Sequence, residues 1–242
     1  YDKYSAVQEK VFESMLEKVV GNKQSIIDLG SGTGFRTNRL HHYCKSKHTI
    51  GLDQSLEMIR FAMKQCHDSN VHFMHSSIQE YAFKDTADLI FSNATLHWIS
   101  DMALMQKLID RCLNHSKQCV FSVFLPQCFS HLSHALKRVY NKDVALPCHR
   151  FHALSTYKLI LDELAVSFSC ETITINEIFK SVRDLLLSIK QTGVTDYNNS
   201  ISDDLINVNT HTYMLNRSLQ KTFKKSLNSN KPSISIQRLT PC

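Results

Sequence analysis

The run Asp28-Leu29-Gly30-Ser31-Gly32-Thr33-Gly34 constrains this chain more than any other stretch. It follows a short apolar segment, Ser25 to Leu29, and leads into a segment of helical character reaching about Cys44. Glycines at a strand-to-helix junction let the chain turn tightly and let a ligand approach the backbone. The helix behind them offers N–H groups with no intrahelical partner. About 20 residues on, a second apolar segment, His48 to Leu52, ends at Asp53, where a carboxylate can accept both hydroxyls of a ribose. Dinucleotide turns carry G-x-G-x-x-G. The spacing here is G-x-G-x-G with an acid two residues ahead, which argues against a nicotinamide-linked dehydrogenase. A glycine-rich turn without any ligand is the plain alternative.

Further elements follow at short intervals. Val7 to Val20 has apolar residues at helical spacing, closed by Gly21-Asn22. Ser55 to Cys66 reads as a helix capped by Ser55, with Met58, Ile59 and Ala62 on one face. Val71 to Met74 and Ala87 to Ser92 read as strands, Asp101 to Leu113 as a helix, and Gln118 to Phe124 as a strand. Strands alternating with helices predict a Rossmann-like, doubly wound α/β fold. After Pro126 the rhythm breaks. Ser130 to Asn141, Ser155 to Leu164 and Ile178 to Lys190 look helical, as does His211 to Lys225. Glu171 to Ile175 and Pro232 to Leu239 read as further strands. The whole, 1–242, is expected to be one domain. It has a mostly parallel seven-stranded sheet, helices on both faces, and an inserted helical cover formed by 126–165 and 178–210.

Composition bounds the function. A chain of 242 residues with 43% hydrophobic and 21% charged residues suits one globular domain. No apolar run approaches the roughly 20 residues that cross a bilayer, and the polar stretch Tyr1 to Lys10 is unlike a secretory signal. The eight cysteines form no C-x-x-C pair, so they read as reduced thiols in a cytoplasmic protein, with no metal site indicated. The net charge of +6 is spread along the chain. Arg217, Lys221, Lys224 and Lys225 come closest to a basic cluster, too short to argue nucleic-acid binding. A monomer without membrane or nucleic-acid partners is expected.

Asp28 to Gly34, Asp53 and the segment Phe91-Ser92-Asn93-Ala94-Thr95-Leu96-His97-Trp98 resemble the class I S-adenosylmethionine-dependent methyltransferases over about Ser25 to Phe124. In that family the loop holds the methionyl part of the cofactor and the acid after strand two holds the ribose. The resemblance implies cofactor contacts from Asp28, Gly30, Ser31, Gly32, Gly34, Asp53, Gln54, Met58, Ser77, Ile78, Asn93 and Leu96. The family commonly has an acid after strand three, where this chain has Ser76-Ser77-Ile78. Trp98 is expected to pack in the core rather than touch substrate. His97 is either a base or a structural residue.

A narrower resemblance joins motifs along most of the chain. Tyr1-Asp2-Lys3-Tyr4-Ser5-Ala6-Val7-Gln8 is similar to the opening Y-D-x-x-A-x-V-Q of the malonyl-acyl-carrier-protein O-methyltransferases of biotin synthesis. Phe91 to Trp98 is similar to their F-S-N-x-x-L-Q-W, with His97 for Gln, and His149-Arg150-Phe151 to their N-R-F. Leu186 to Gly193 is similar to L-L-R-S-L-K-x-x-G. Ser31 replaces the usual loop Cys and Ser77 the usual Asp. The resemblance implies methyl transfer to the free carboxylate of a malonyl thioester, on acyl carrier protein or coenzyme A. Arg150 would receive the carboxylate and Tyr1 would close over the site. Lys137, Arg138, Lys142, Lys180, Arg183 and Lys190 could meet an acidic carrier. The rival readings are a methyltransferase for another carboxylate or a quinone, and a non-catalytic cofactor-binding partner protein.

Overall fold

The computed structural model describes residues 5–191 and 234–241. Tyr1, 192–210 of the expected cover, and the expected helix 211–225 lie outside these residues. The central strands are β1 (Ser25–Leu29), β2 (His48–Asp53), β3 (Val71–His75), β4 (Leu89–Ser92) and β5 (Cys119–Phe124), followed by β6 (Phe168–Ile175) and β7 (Ile234–Pro241). The sheet runs β3-β2-β1-β4-β5-β7-β6. The first five of these are mutually parallel, and β7 inserts antiparallel between β5 and β6.

Apolar residues alternate across the strands, and each face finds its own helices. Ile26, Leu89, Phe91 and Val120 pack with α1 (Ala6–Leu16) and α2 (Phe35–Cys44), through Val11, Phe12, Met15 and Leu40. Ile27, Leu29, Ile90, Phe121 and Val123 pack with α4 (Met102–Asn114) and α6 (Leu154–Glu163), through Met105, Leu108, Ile109, Tyr157 and Ile160. Covering on both faces explains why β4 is buried at every position. α3 (Leu56–Gln65) sets Ile59 and Ala62 against Val71 and Phe73. Ser55 caps it, its hydroxyl accepting the Met58 N–H at 3.3 Å.

Several boundaries move from where local sequence puts them. α1 stops at Leu16 rather than Val20, because Lys18 and Val19 donate to carbonyls three residues back, in a tightened last turn. β6 opens at Phe168 rather than Glu171, because Phe168 is in register with Pro241 on the distant β7. α7 (Val182–Gln191) starts four residues after Ile178, because Ser181 caps it: its hydroxyl accepts the Asp184 N–H at 3.1 Å. The segment 126–165 divides in two. α6 belongs to the main core, whereas α5 (Ser130–Tyr140) packs with α7 in a separate cluster of Leu132, Ala135, Leu136 and Leu185.

Candidate active site

In an open α/β sheet the crevice forms at the C-terminal strand ends where strand order reverses, here between β1 and β4. A cavity of about 260 Å³ lies there. The glycine loop forms its floor. Gly30 has φ +81°, and a Cβ on it would collide with the Thr95 side chain, so the turn and the segment after β4 are in contact only because position 30 is glycine. Gly32 also has a positive φ, 55°. Its N–H donates to Asp53 Oδ2 at 2.9 Å, and the Ser55 N–H donates to Oδ1 at 2.8 Å. The Asp53 carboxylate is thereby fixed between loop and α3, and each oxygen retains a lone pair for a further donor.

Asp28, at 5% exposure, lies beneath the loop. Thr37 Oγ1 donates to its Oδ2 at 2.5 Å. Burial pushes this carboxyl up to about 6; the Thr37 bond opposes that, Asp53 adds to it, and Arg36 opposes it. Beyond β4, Asn93 donates from Nδ2 to the Gln8 carbonyl at 3.0 Å and accepts the Ser122 hydroxyl at 2.9 Å. Ser122 Oγ also accepts the Ala94 N–H. Ala94 sits in the left-handed region, φ 55°, a conformation costly for a non-glycine residue and held here by that bond.

The cavity joins most of the expected cofactor residues: Asp28, Gly30, Ser31, Gly32, Asp53, Gln54, Met58, Ile78 and Asn93 all line it. Gly34, Ser77 and Leu96 are not among its lining residues. A Cβ on Gly34 would meet Phe73 and Ala62, so that glycine serves helix packing. The Ser77 hydroxyl donates to Gln79 Oε1 at 2.7 Å, and it is Gln79 that reaches the cavity. Leu96 is buried in the main core. Trp98 packs edge-on against Phe151 at 5.2 Å and also lines the cavity. Arg150 is exposed, one residue before Phe151 and outside the cavity lining.

Arg36, which no motif singles out, and Gln8, the last residue of the opening motif with no role assigned to it, both line the cavity. Arg36 donates from Nε to Glu9 Oε2 at 3.2 Å, and from Nη2 to the Ser5 carbonyl at 3.1 Å and the Ser5 hydroxyl at 2.6 Å. It thus binds α1 to the wall of the site. The signal was positional: Arg36 follows Gly34 in the first turn of α2, the turn that faces a bound ligand.

His97 is a structural residue. It is 2% exposed, with rings of Trp98, Phe124 and Phe151 around it at 4.5 to 5.0 Å. Burial pushes its imidazole down to about 3. Nδ1 accepts the Phe124 N–H at 3.3 Å.

S-adenosylmethionine is polar at its amino-acid end and at its ribose. The Ser31 hydroxyl suits the former: it is buried, borders the cavity and has no partner in the protein. Asp53 suits the latter. The residues present therefore fit this cofactor.

Fold and site together define an S-adenosylmethionine-dependent methyltransferase. The chain belongs to the family described as "Methyltransferase domain", whose sequence profile matches residues 21–183. Among named relatives, the malonyl-[acyl-carrier protein] O-methyltransferase of Bacillus anthracis is 28% identical over 82% of this chain and 77% of its own. Two solved structures share the fold. The YcgJ protein of Bacillus subtilis has a TM-score of 0.57 at 14% identity, covering 96% of this chain and 98% of that one. The N-methyltransferase NodS of Bradyrhizobium japonicum WM9, in complex with S-adenosylhomocysteine, has 0.52 at 17%, covering 73% and 81%.

Proposed function

We propose that this methyltransferase esterifies the free carboxylate of a malonyl thioester, the opening step of pimeloyl formation in biotin synthesis. The observation that carries the reading is the similarity to the malonyl-[acyl-carrier protein] O-methyltransferase over most of the chain, and the cavity lining agrees with it. Among the described residues lining the cavity there is no histidine or lysine. His97 stands behind Trp98, neutral and engaged through Nδ1. The cavity carboxylates accept from Thr37 and from the N–H groups of Gly32 and Ser55, and the capacity left on Asp53 is assigned to the ribose. A carbon or phenol acceptor needs a base. A malonyl carboxylate does not, since carboxyl groups with pKa about 4 are already ionised at neutral pH. The relative's name supports the same acceptor.

When bound, S-adenosylmethionine supplies a methyl group activated by its sulfonium. The chain's own work is to bind, align and exclude water. Asp53 receives the ribose hydroxyls, and Ser31 the methionyl end. Gln79, held by Ser77 and by Arg111, which donates to the Gln79 carbonyl at 2.6 Å, presents its amide toward the adenine in place of the usual acid. Arg150 pairs with the substrate carboxylate, since a planar guanidinium matches that group. Phe151 beside it packs edge-on against Trp98 and so links Arg150 to the cavity wall. Helices α5 and α7 form the substrate cover, on which the exposed Lys137, Arg138 and Arg183 would meet an acidic carrier.

The test incubates the protein with S-adenosylmethionine and malonyl-carrier protein or malonyl-coenzyme A, and seeks the methyl ester by mass spectrometry. Product on either thioester, absent with acetyl and succinyl thioesters, is the expected result; relative rates identify the carrier. Cofactor binding without product would overturn it. Arg150→Ala is expected to lose at least tenfold in methylation, with cofactor affinity kept.

A further inference from the structure

Opposite the glycine loop, at the far end of α2, stands a cluster that methyl transfer does not use. His41 and His42 lie in the last turn of α2, and Asp68 in the link from α3 to β3. One ligand-type atom from each lies within 4.8 Å of the other two. We infer that these three residues bind a divalent transition-metal ion of the zinc type.

The geometry of the inner pair carries the inference. His41 Nε2 and Asp68 Oδ2 are 3.4 Å apart. That is long beside the about 2.7–2.9 Å of a charge-assisted hydrogen bond. It matches the edge of a tetrahedron around zinc, about 3.4 Å for bonds of about 2.0–2.1 Å. Both groups are already oriented from behind, as metal ligands characteristically are. His41 Nδ1 contacts the hydroxyl of buried Thr49 at 2.9 Å. With that nitrogen protonated and donating, the Nε2 lone pair faces Asp68. Asp68 in turn accepts the Asn70 N–H on Oδ1 at 2.8 Å, which leaves Oδ2 toward His41.

Burial adds to this. His41 is 4% exposed, Asp68 is partly buried and His42 is exposed. The ion therefore sits half in the protein, with an entry path and a position for water. Two imidazoles and a carboxylate suit zinc, and also cobalt or nickel. His41 and His42 come six and seven residues after Phe35, which puts the site about 10 Å along the helix from the glycine loop. The ion is thus a clasp between α2 and the α3–β3 link rather than part of methyl transfer.

Untagged full-length protein, stripped with chelator, is titrated with zinc by calorimetry and with cobalt by visible absorption. One equivalent is expected, with the intense visible bands of tetrahedral cobalt. Saturating zinc should raise the melting temperature by roughly 5–10 °C, as ligand linkage predicts for a domain this size. His42→Ala, at an exposed position, and Asp68→Asn should each weaken binding at least tenfold. His48→Ala and His72→Ala, which remove a tilted histidine pair on neighbouring strands with ring centroids 5.2 Å apart, should leave it unchanged. No zinc-dependent shift, or binding that survives both His42→Ala and Asp68→Asn, would overturn the inference.

Discussion

At the residue scale, two buried titratable groups beside the site pull in opposite directions. His97 has a folded pKa of about 3, far below its ordinary value near 6.5, because charging it means desolvating an imidazolium among aromatic rings. As pH falls below about 6.5 the unfolded chain takes up a proton that the folded chain refuses. Stability therefore drops as pH moves from about 6.5 toward 3. Gln in its place offers an oxygen to the Phe124 N–H and no titration. His97→Gln should keep the fold at pH 7 and flatten that acid slope, measured by denaturant unfolding at a series of pH values. An unchanged slope would remove His97 as the cause. Asp28 has the reverse sign. Its carboxyl is raised to about 6, so the folded state holds a proton between about 4 and 6 that the unfolded state has released, and stability falls as pH rises through that window. The same carboxylate, once ionised, faces a cofactor of net positive charge. Cofactor affinity should rise as pH rises through 6, and Asp28→Asn should abolish that rise. Parallel profiles for the two proteins would show the charge to be irrelevant.

At the element scale, α1 is joined to the site by Arg36, whose side chain bonds Ser5 and Glu9 while bordering the cavity. Arg39 reinforces the junction through Glu9 and Glu13. Arg36→Met should weaken cofactor binding about tenfold, equal to about 1.4 kcal/mol. Arg36→Lys should not rescue it, because an ammonium cannot reproduce the fork. Equal affinity in all three proteins would show that α1 is held without Arg36. This clamp marks the limit of what the sequence discloses. The loop, Asp53 and the cap at Ser55 are legible because turn, strand end and cap are local events within a few residues. Arg36, Gln79 and Trp98 reach the cavity only through tertiary placement, and no local pattern separates them from surface or core side chains. Leu96 and Gly34 sit within motif segments but lie in packing outside the cavity lining, which local sequence does not disclose either. The start of β6 is set by pairing with β7, whose residues lie far along the chain, so its boundary was not a local property either.

At the scale of the molecule, the described residues divide by packing into a sheet with its two helical layers and a smaller body of α5 and α7. The smaller body reaches the site through Phe129 and Leu146, which pack against the cluster of Cys128, Cys148 and Phe151, as Trp98 does. A small cluster with a narrow connection opens at lower free energy than the whole. Leu136, 2% exposed within it, tests the proposed role of this body as the substrate cover. Leu136→Ala removes about 2–5 kcal/mol from a packed core. If α5 and α7 form their own cooperative unit, the loss stays local. Amide exchange should then quicken at least tenfold in α5 and α7 and stay unchanged in β1 and β4. Thioester methylation should fall while cofactor affinity holds, because Asp53 and the glycine loop belong to the larger body. Uniform loss of protection across the sheet would instead make the two bodies one unit, and the proposed cover could not move independently of the site it covers.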